Sequence, residues 1–309
     1  MNHLRIWTMA ARPRTLPAAI APVLVGTAAA HYAFFENDEA YFYCLGCAPE
    51  LSGWLPFFAA LLGSILIQIG TNLANDYSDA KRGADTADRL GPVRVTSAGL
   101  IAPRRVLHAT WIAFALASLA GIYLATVAGP EIIVVGVLSI LAGILYTGGP
   151  RPYGYAGMGE LFVFLFFGVV AVNGSYYVQL EEIETLPLLL SVSVGFLSTA
   201  ILVVNNVRDL ETDARAGKRT LAVRLGRERT RTLYWVLIVG GFALVPVAIA
   251  AGDGPWLALI SLGAVPLAPA PLRAVRTRTD GPALNGALAG TGMLLGAFSV
   301  LLSLGLLLG

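Results

Sequence analysis

The stretch WLPFFAALLGSILIQIGTNLAN at positions 54–75 carries no charged side chain and runs straight into DYSDAKRGAD at 76–85. An apolar run of this length matches the roughly 20 residues a helix needs to cross a hydrocarbon core about 30 Å thick. The abrupt change to acids and bases marks the membrane boundary. The run lacks the period-two alternation of a barrel strand, so the crossing is helical.

Similar blocks recur on both sides of it, at about 15–35, 106–128, 132–148, 161–179, 186–206, 232–251, 256–272 and 284–308. Nine spans are therefore expected, in an all-α polytopic membrane protein forming one domain over 1–309. The blocks at 132–148 and 256–272 are short for a full crossing, so tilt or local thinning must make up the difference. Composition agrees: of 309 residues 56% are hydrophobic and 13% charged, about half the charge of a soluble domain. That excludes an ordinary soluble enzyme, and no nucleic-acid partner is expected; the partner surface is the lipid bilayer. The start MNHLRIWTMAARPRTLP has no short apolar run followed by a small-residue cleavage site, so no removable signal peptide is expected. Cys44 and Cys47 form a lone CxxC with no second pair to complete a metal cage, and read as incidental loop cysteines.

With nine spans, all 21 Lys and Arg fall on the N-terminus and on the loops after the even-numbered spans. The other side has Glu36, Asp38, Glu39, Glu50, Glu131, Glu181, Glu182, Glu184 and Asp253 but no cation. The positive-inside rule puts the N-terminus in the cytoplasm and the C-terminus across the cell membrane. One helix more or fewer would scramble this partition.

Two of the cytoplasmic loops, 76–105 and 207–231, are long and polar, which is where chemistry is to be sought. The first has Asn72, Asn75, Asp76, Asp79 and Asp85 at its entry; the second has Asn205, Asn206, Arg208, Asp209, Asp213, Lys218 and Arg219. Asn72 precedes Asp76 by four residues and Asn205 precedes Asp209 by four, and a further carboxylate follows each at three or four. On a helix these offsets share a face, so each stretch projects an amide and two carboxylates together. Grouped carboxylates repel unless a cation lies between them, and oxygen-only ligands suit Mg²⁺ shared with substrate phosphates. Lys81, Arg82, Arg94, Arg208, Lys218 and Arg219 would meet the remaining phosphate oxygens. The pattern predicts a Mg²⁺–diphosphate site at the membrane boundary, and beside a lipid-accessible cavity the substrate class is an isoprenoid diphosphate. An ion-coupled transporter fits less well, because transporters place charges near the midplane.

Over essentially its whole length the chain resembles the UbiA-type intramembrane prenyltransferases, through NLANDYSDAKRGAD at 72–85 and NNVRDLETDARAGKRTLAVRLG at 205–226. Three further segments resemble the branch of that family that acts on 1,4-dihydroxy-2-naphthoate: ARPRTLPAAIAPVLVGT at 11–27, DRLGPVRVTSAGL at 88–100 and YTGGPRPYGYAGMGELFVFLFFG at 146–168. The resemblance implies nine transmembrane helices around a central cavity. It implies that Asp76, Asp79, Asp209 and Asp213 hold Mg²⁺ against polyprenyl diphosphate, with Asn72, Asn75 and Asn205 beside them. Arg82, Arg151, Arg208 and Lys218 would touch the diphosphate, Tyr146 would line the path of the allylic group, and Arg14 or Arg12 would meet the acceptor carboxylate. The implied reaction is decarboxylative prenylation giving demethylmenaquinone. Other acceptors of the family (4-hydroxybenzoate, homogentisate, haem, glycerophosphate lipids) are disfavoured by those three segments. One position departs: many relatives have an Asp where this chain has Gly83, and Asp85 is its nearest substitute.

Smaller features read blandly. Tyr153 and Tyr155 are expected as interface anchors rather than acceptor-stacking rings. Glu160 suits a helix N-terminus, Asn173 needs a hydrogen bond to another helix, His31 and His108 are not ligands, and the many glycines are helix-packing contacts.

Overall fold

The structure, a computed structural model, describes residues 2–36, 51–84 and 90–309. Cys44, Cys47 and Asp85 fall outside the described residues. The chain opens with a short helix α1 (His3–Ala11), turns a corner through Pro13–Thr15, and enters α2 (Leu16–Glu36). Then come α3 (Leu51–Arg82), α4 (Pro103–Ala128), α5 (Glu131–Leu145) and α6 (Gly159–Leu180). After these follow α7 (Thr185–Arg215), a single turn α8 (Leu221–Leu225), α9 (Arg227–Ala251), a 3₁₀ stretch Trp256–Leu267, α10 (Pro269–Thr277) and α11 (Gly281–Leu308).

Among the described residues, seven helical segments are long and apolar enough to cross a membrane: α1 with α2, then α3, α4, α6, α7, α9 and α11. The other two expected spans are the two short blocks. One is α5, which stays below the length of a full crossing, and the other is the 3₁₀ stretch and α10, bent by 41° at their junction. Pro266 and Pro269 flank that bend and deny it backbone donors. The protein is thus an all-helical multi-span membrane protein.

Two expected boundaries move. The polar stretches at 76 and 207 begin as helix: α3 continues to Arg82 and α7 to Arg215, so the acidic residues ride on rigid helix ends. Gly83 ends α3 in the left-handed region (φ 64°), with Ala84 N–H donating to the Asp79 carbonyl at 3.0 Å. The position is a helix-closing glycine, which gives a backbone reason for a residue without Cβ there.

Lipid is as apolar as leucine, so close approach rather than water exclusion holds such helices together. The main core is accordingly built on small residues such as Ala21, Ala28, Ala29 and Ala200 among larger ones such as Val194, Leu197 and Phe298. A Cβ on Gly26 of α2 would run into the carbonyl oxygen of Val172 on α6. One on Gly168 would come within 2.6 Å of the Gly195 Cα on α7. Buried hydroxyls add crosslinks, such as Tyr234 of α9 with Thr291 of α11 at 2.7 Å. Within α6, Phe164–Val170 winds as a π-helix, a local irregularity common near functional sites. Asn173 just beyond it donates to the Val169 carbonyl of its own helix at 2.7 Å, so the expected bond to a neighbouring helix is replaced by a local one.

Candidate active site at the ends of the acidic helices

A cavity of about 530 Å³ runs among α2 to α7. Its polar end is lined by Asn72, Asn75 and Asp79 of α3, by Asn205, Asn206, Asp209 and Asp213 of α7, and by Arg12, Arg94 and Lys218. The two acidic motifs, more than a hundred residues apart in sequence, therefore meet in one chamber. Its other end is apolar, with Ala117, Ile122, Ile133, Val137, Phe166, Phe167 and Val178 on the walls. Ile122, Ile133 and Val137 are also exposed on the outer surface, so this end reaches the lipid side of the bundle. Gly121, Gly136 and Gly174 line it, and nothing lies within 4 Å of where their Cβ atoms would be. Unlike Gly26, these glycines leave room rather than admit a neighbour. Close packing between helices, the role expected of the glycines, holds at positions such as Gly26 and Gly168 and not at these three.

Each acid at the polar end has a partner from the chain. Asp79 accepts from Tyr155 Oη at 2.6 Å and from Arg94 at 3.2 Å. Asp209 is gripped by both nitrogens of the Arg208 fork, at 2.8 and 2.6 Å. Arg208, 1% exposed, also donates to Asn205 and to Asn285 of α11, each at 2.7 Å. Asp213 stands 3.5 Å from Lys218. Arg208 therefore orients Asp209 and Asn205 instead of lining the cavity.

Asp76 is placed differently from its expected role. Its carboxylate accepts from the backbone N–H groups of Val95 and Thr96 at 3.2 and 2.9 Å, is 1% exposed, and is not among the residues lining the cavity. It anchors the loop that carries Arg94 to Asp79. Asn72 lines the cavity while donating to the Ala11 carbonyl and to Thr15 Oγ1 at 3.0 and 3.1 Å. It thereby holds the corner after α1, where Arg12 adopts φ 54°. Asn75 accepts from Thr147 at 2.8 Å.

Arg14 and Arg151 are exposed and line no part of the cavity; the arginine of the first segment that does is Arg12. Arg82 is exposed as well, donating to the Gly149 carbonyl. Tyr146 lines the cavity as expected and meets Tyr153 edge to face at 5.5 Å. Tyr153 stacks on Phe162 at 4.0 Å and donates to the Ala142 carbonyl at 2.9 Å. Burial pushes its phenol well above the ordinary value, so it stays a donor. Glu160 is buried and accepts from Asn206 at 2.8 Å, a contact that turns the Asn206 carbonyl oxygen away from Glu160.

The roles of Tyr155 and Asn206 were missed in the sequence. Their signal was spacing: Tyr155 lies nine residues past Tyr146 in a glycine-rich loop, and Asn206 sits three before Asp209 on one helix face. Among the described residues no three acidic side chains converge tightly enough to cage a metal alone. The donor set is nonetheless all oxygen, from Asp79, Asp209, Asp213 and neighbouring amides, which fits a hard dication completed by phosphate oxygens rather than an all-protein cage.

Residues 19–285 match the family described as the UbiA prenyltransferase family. The chain is 45% identical to a 1,4-dihydroxy-2-naphthoate octaprenyltransferase of Mycobacterium tuberculosis over 93% of its own length and 91% of the relative's. It is 34% identical to one of Haemophilus influenzae, over 100% and 97%. The fold is similar to the solved structure of a UbiA homolog from Archaeoglobus fulgidus, with TM-score 0.61, 17% identity and 98% and 100% coverage. It is likewise similar to that of a UbiA homolog from the same organism bound to DMAPP and Mg²⁺, with TM-score 0.59, 16% identity and 96% and 99% coverage. An acidic, amide-rich chamber opening into an apolar one, and a family match over most of the length, lead to one conclusion: this chain belongs to the UbiA prenyltransferase family.

Proposed function

We propose that this protein transfers a polyprenyl group from its diphosphate to the carboxylate-bearing ring carbon of 1,4-dihydroxy-2-naphthoate. The observation that carries the reading is the single cavity in which two acidic helix ends with their cations face an apolar chamber walled by glycines. The names of the relatives supply the acceptor.

Asp79, Asp209 and Asp213, with the amide oxygen of Asn206 that its bond to Glu160 leaves facing away from that acid, would hold Mg²⁺. When bound, Mg²⁺ draws charge off the leaving diphosphate. Lys218 and Arg94 supply the cations for the remaining diphosphate oxygens, and Arg12 supplies the one an acceptor carboxylate needs. Tyr146 and the apolar walls keep water from the allylic carbon as its bond to oxygen breaks and the electron pair leaves on diphosphate. The ring carbon then forms the new C–C bond, and the pair of the C–carboxylate bond returns to the ring as CO₂ departs. Both hydroxyls remain, so the product leaves in the quinol form of demethylmenaquinone. The charge partition supports nine crossings, with the N-terminus and acidic helix ends on the cytoplasmic side of the cell membrane.

The test supplies purified protein in nanodiscs with Mg²⁺, a polyprenyl diphosphate and a panel of aromatic acids. The naphthoate product should be lighter than the simple adduct by one CO₂, and a chelator should stop diphosphate release until Mg²⁺ is restored. Turnover of a different acid in preference, or full turnover under chelation, contradicts the reading.

The glycines make a further expectation. Gly136→Leu or Gly174→Leu should fill the apolar end and lower kcat/KM for long prenyl diphosphates by about tenfold or more, leaving short ones nearly unchanged. Competition between geranyl and longer diphosphates reads this directly.

A further inference from the structure

Tyr155 touches both acidic motifs from a loop that belongs to neither. Its hydroxyl donates to Asp79 Oδ1 at 2.6 Å, on the end of α3. Its ring lies 4.8 Å from Lys218 Nζ, the partner of Asp213 beyond α7. Its carbonyl accepts from Arg219 N–H at 2.9 Å, and Gly157 (φ 75°) keeps the loop close, since a Cβ there would fall 2.9 Å from the Arg219 carbonyl oxygen. The loop is held on its other side by Thr147 donating to Asn75. Helices α3 and α7 come from different halves of the chain. A shift of an ångström between them would separate the acids that must act on one ligand.

We infer that Tyr155 is a positioning residue that sets the register of the two acidic motifs: its hydroxyl orients Asp79 for the metal and its ring orients Lys218 for diphosphate. The inference rests on the functional reading above. It gives the two parts of one side chain separable jobs. The hydroxyl acts on metal affinity through a charge-assisted hydrogen bond, and the ring acts on diphosphate affinity through a cation–π contact. Neither job concerns the aromatic acceptor.

The experiment compares wild type, Tyr155→Phe and Tyr155→Leu as full-length protein in nanodiscs. Calorimetry follows Mg²⁺ binding in the presence of inorganic diphosphate, and kinetics give KM for each substrate. Tyr155→Phe should weaken Mg²⁺ binding about tenfold with KM for the naphthoate within twofold of wild type. Tyr155→Leu should in addition raise KM for the prenyl diphosphate about fivefold or more. Tyr155→Phe is close to isosteric, so it decides the matter even where the leucine variant fails to assemble. Unchanged Mg²⁺ and diphosphate constants, or a rise confined to the KM for the acceptor, overturn the inference. A wild type that binds no Mg²⁺–diphosphate sinks the functional reading itself, which separates the two failures.

Discussion

Asp79→Asn should lower prenyl transfer about 100-fold or more with a moderate loss of thermal stability, because the largely buried Arg94 loses a charged partner, whereas Asp209→Ala should lose transfer and considerably more stability. The amide keeps the shape of the Asp79 side chain and its contact with Tyr155, but removes the charge that would help hold a metal near the leaving group. Losses of two to three orders of magnitude are usual when one group that stabilises transition-state charge is removed. Asp209 has an added role, because Arg208 is 1% exposed and both of its forked nitrogens rest on that carboxylate. Stripping one partner from a buried pair costs about 3–5 kcal/mol. Asp76→Ala belongs to a third class: it releases the Val95 and Thr96 amides, so activity should fall along with protection of the 90–101 loop from protease. Turnover and unfolding curves for the three variants, side by side, decide the assignment. Wild-type turnover in Asp79→Asn would remove Asp79 from the metal site.

Gly26→Val should prevent stable assembly of the bundle. A Cβ at that position meets the Val172 carbonyl oxygen and lies 2.9 Å from the Ser175 Cβ and 3.1 Å from the Tyr176 nitrogen. Backbone atoms cannot rotate aside as a side chain does, so α2 must move off α6. Overpacking of this kind costs about 1–3 kcal/mol and occasionally more, and in lipid no hydrophobic gain offsets the lost contact. The measurement is the yield of monodisperse protein and its unfolding temperature in detergent, with Gly136→Leu as a control that should assemble normally. Equal behaviour of the two variants would show that close approach at Gly26 is not what holds α2.

Most of the architecture could be read from the sequence, because a hydrocarbon slab imposes its thickness on any helix that crosses it. All nine apolar blocks coincide with helical segments, and the two flagged as short, 132–148 and 256–272, are the ones that fall below a full crossing or bend. The acidic spacing correctly implied helices carrying paired amides and acids, and the cavity joins Asp79 to Asp209 and Asp213. Spacing alone could not tell which way Asp76 turns. Three residues separate it from Asp79, yet one carboxylate faces the chamber and the other a pair of loop amides. Nor could it separate Arg12 from Arg14, where a single residue at φ 54° decides which guanidinium reaches inward. Tyr155 looked like a surface anchor because its partners, Asp79 and Lys218, are distant in sequence and near only in the folded chain.

Since Arg94, Arg208 and Lys218 already sit against the three acids, the polypeptide would be close to electroneutral there before any guest arrives. A lone dication would strand those bases, and a lone pyrophosphate anion would strand the acids. On the proposed function, a pre-joined salt of the two would let each of these groups swap one companion for another. Such a pocket would discriminate by stoichiometry, and free magnesium would not by itself clog it.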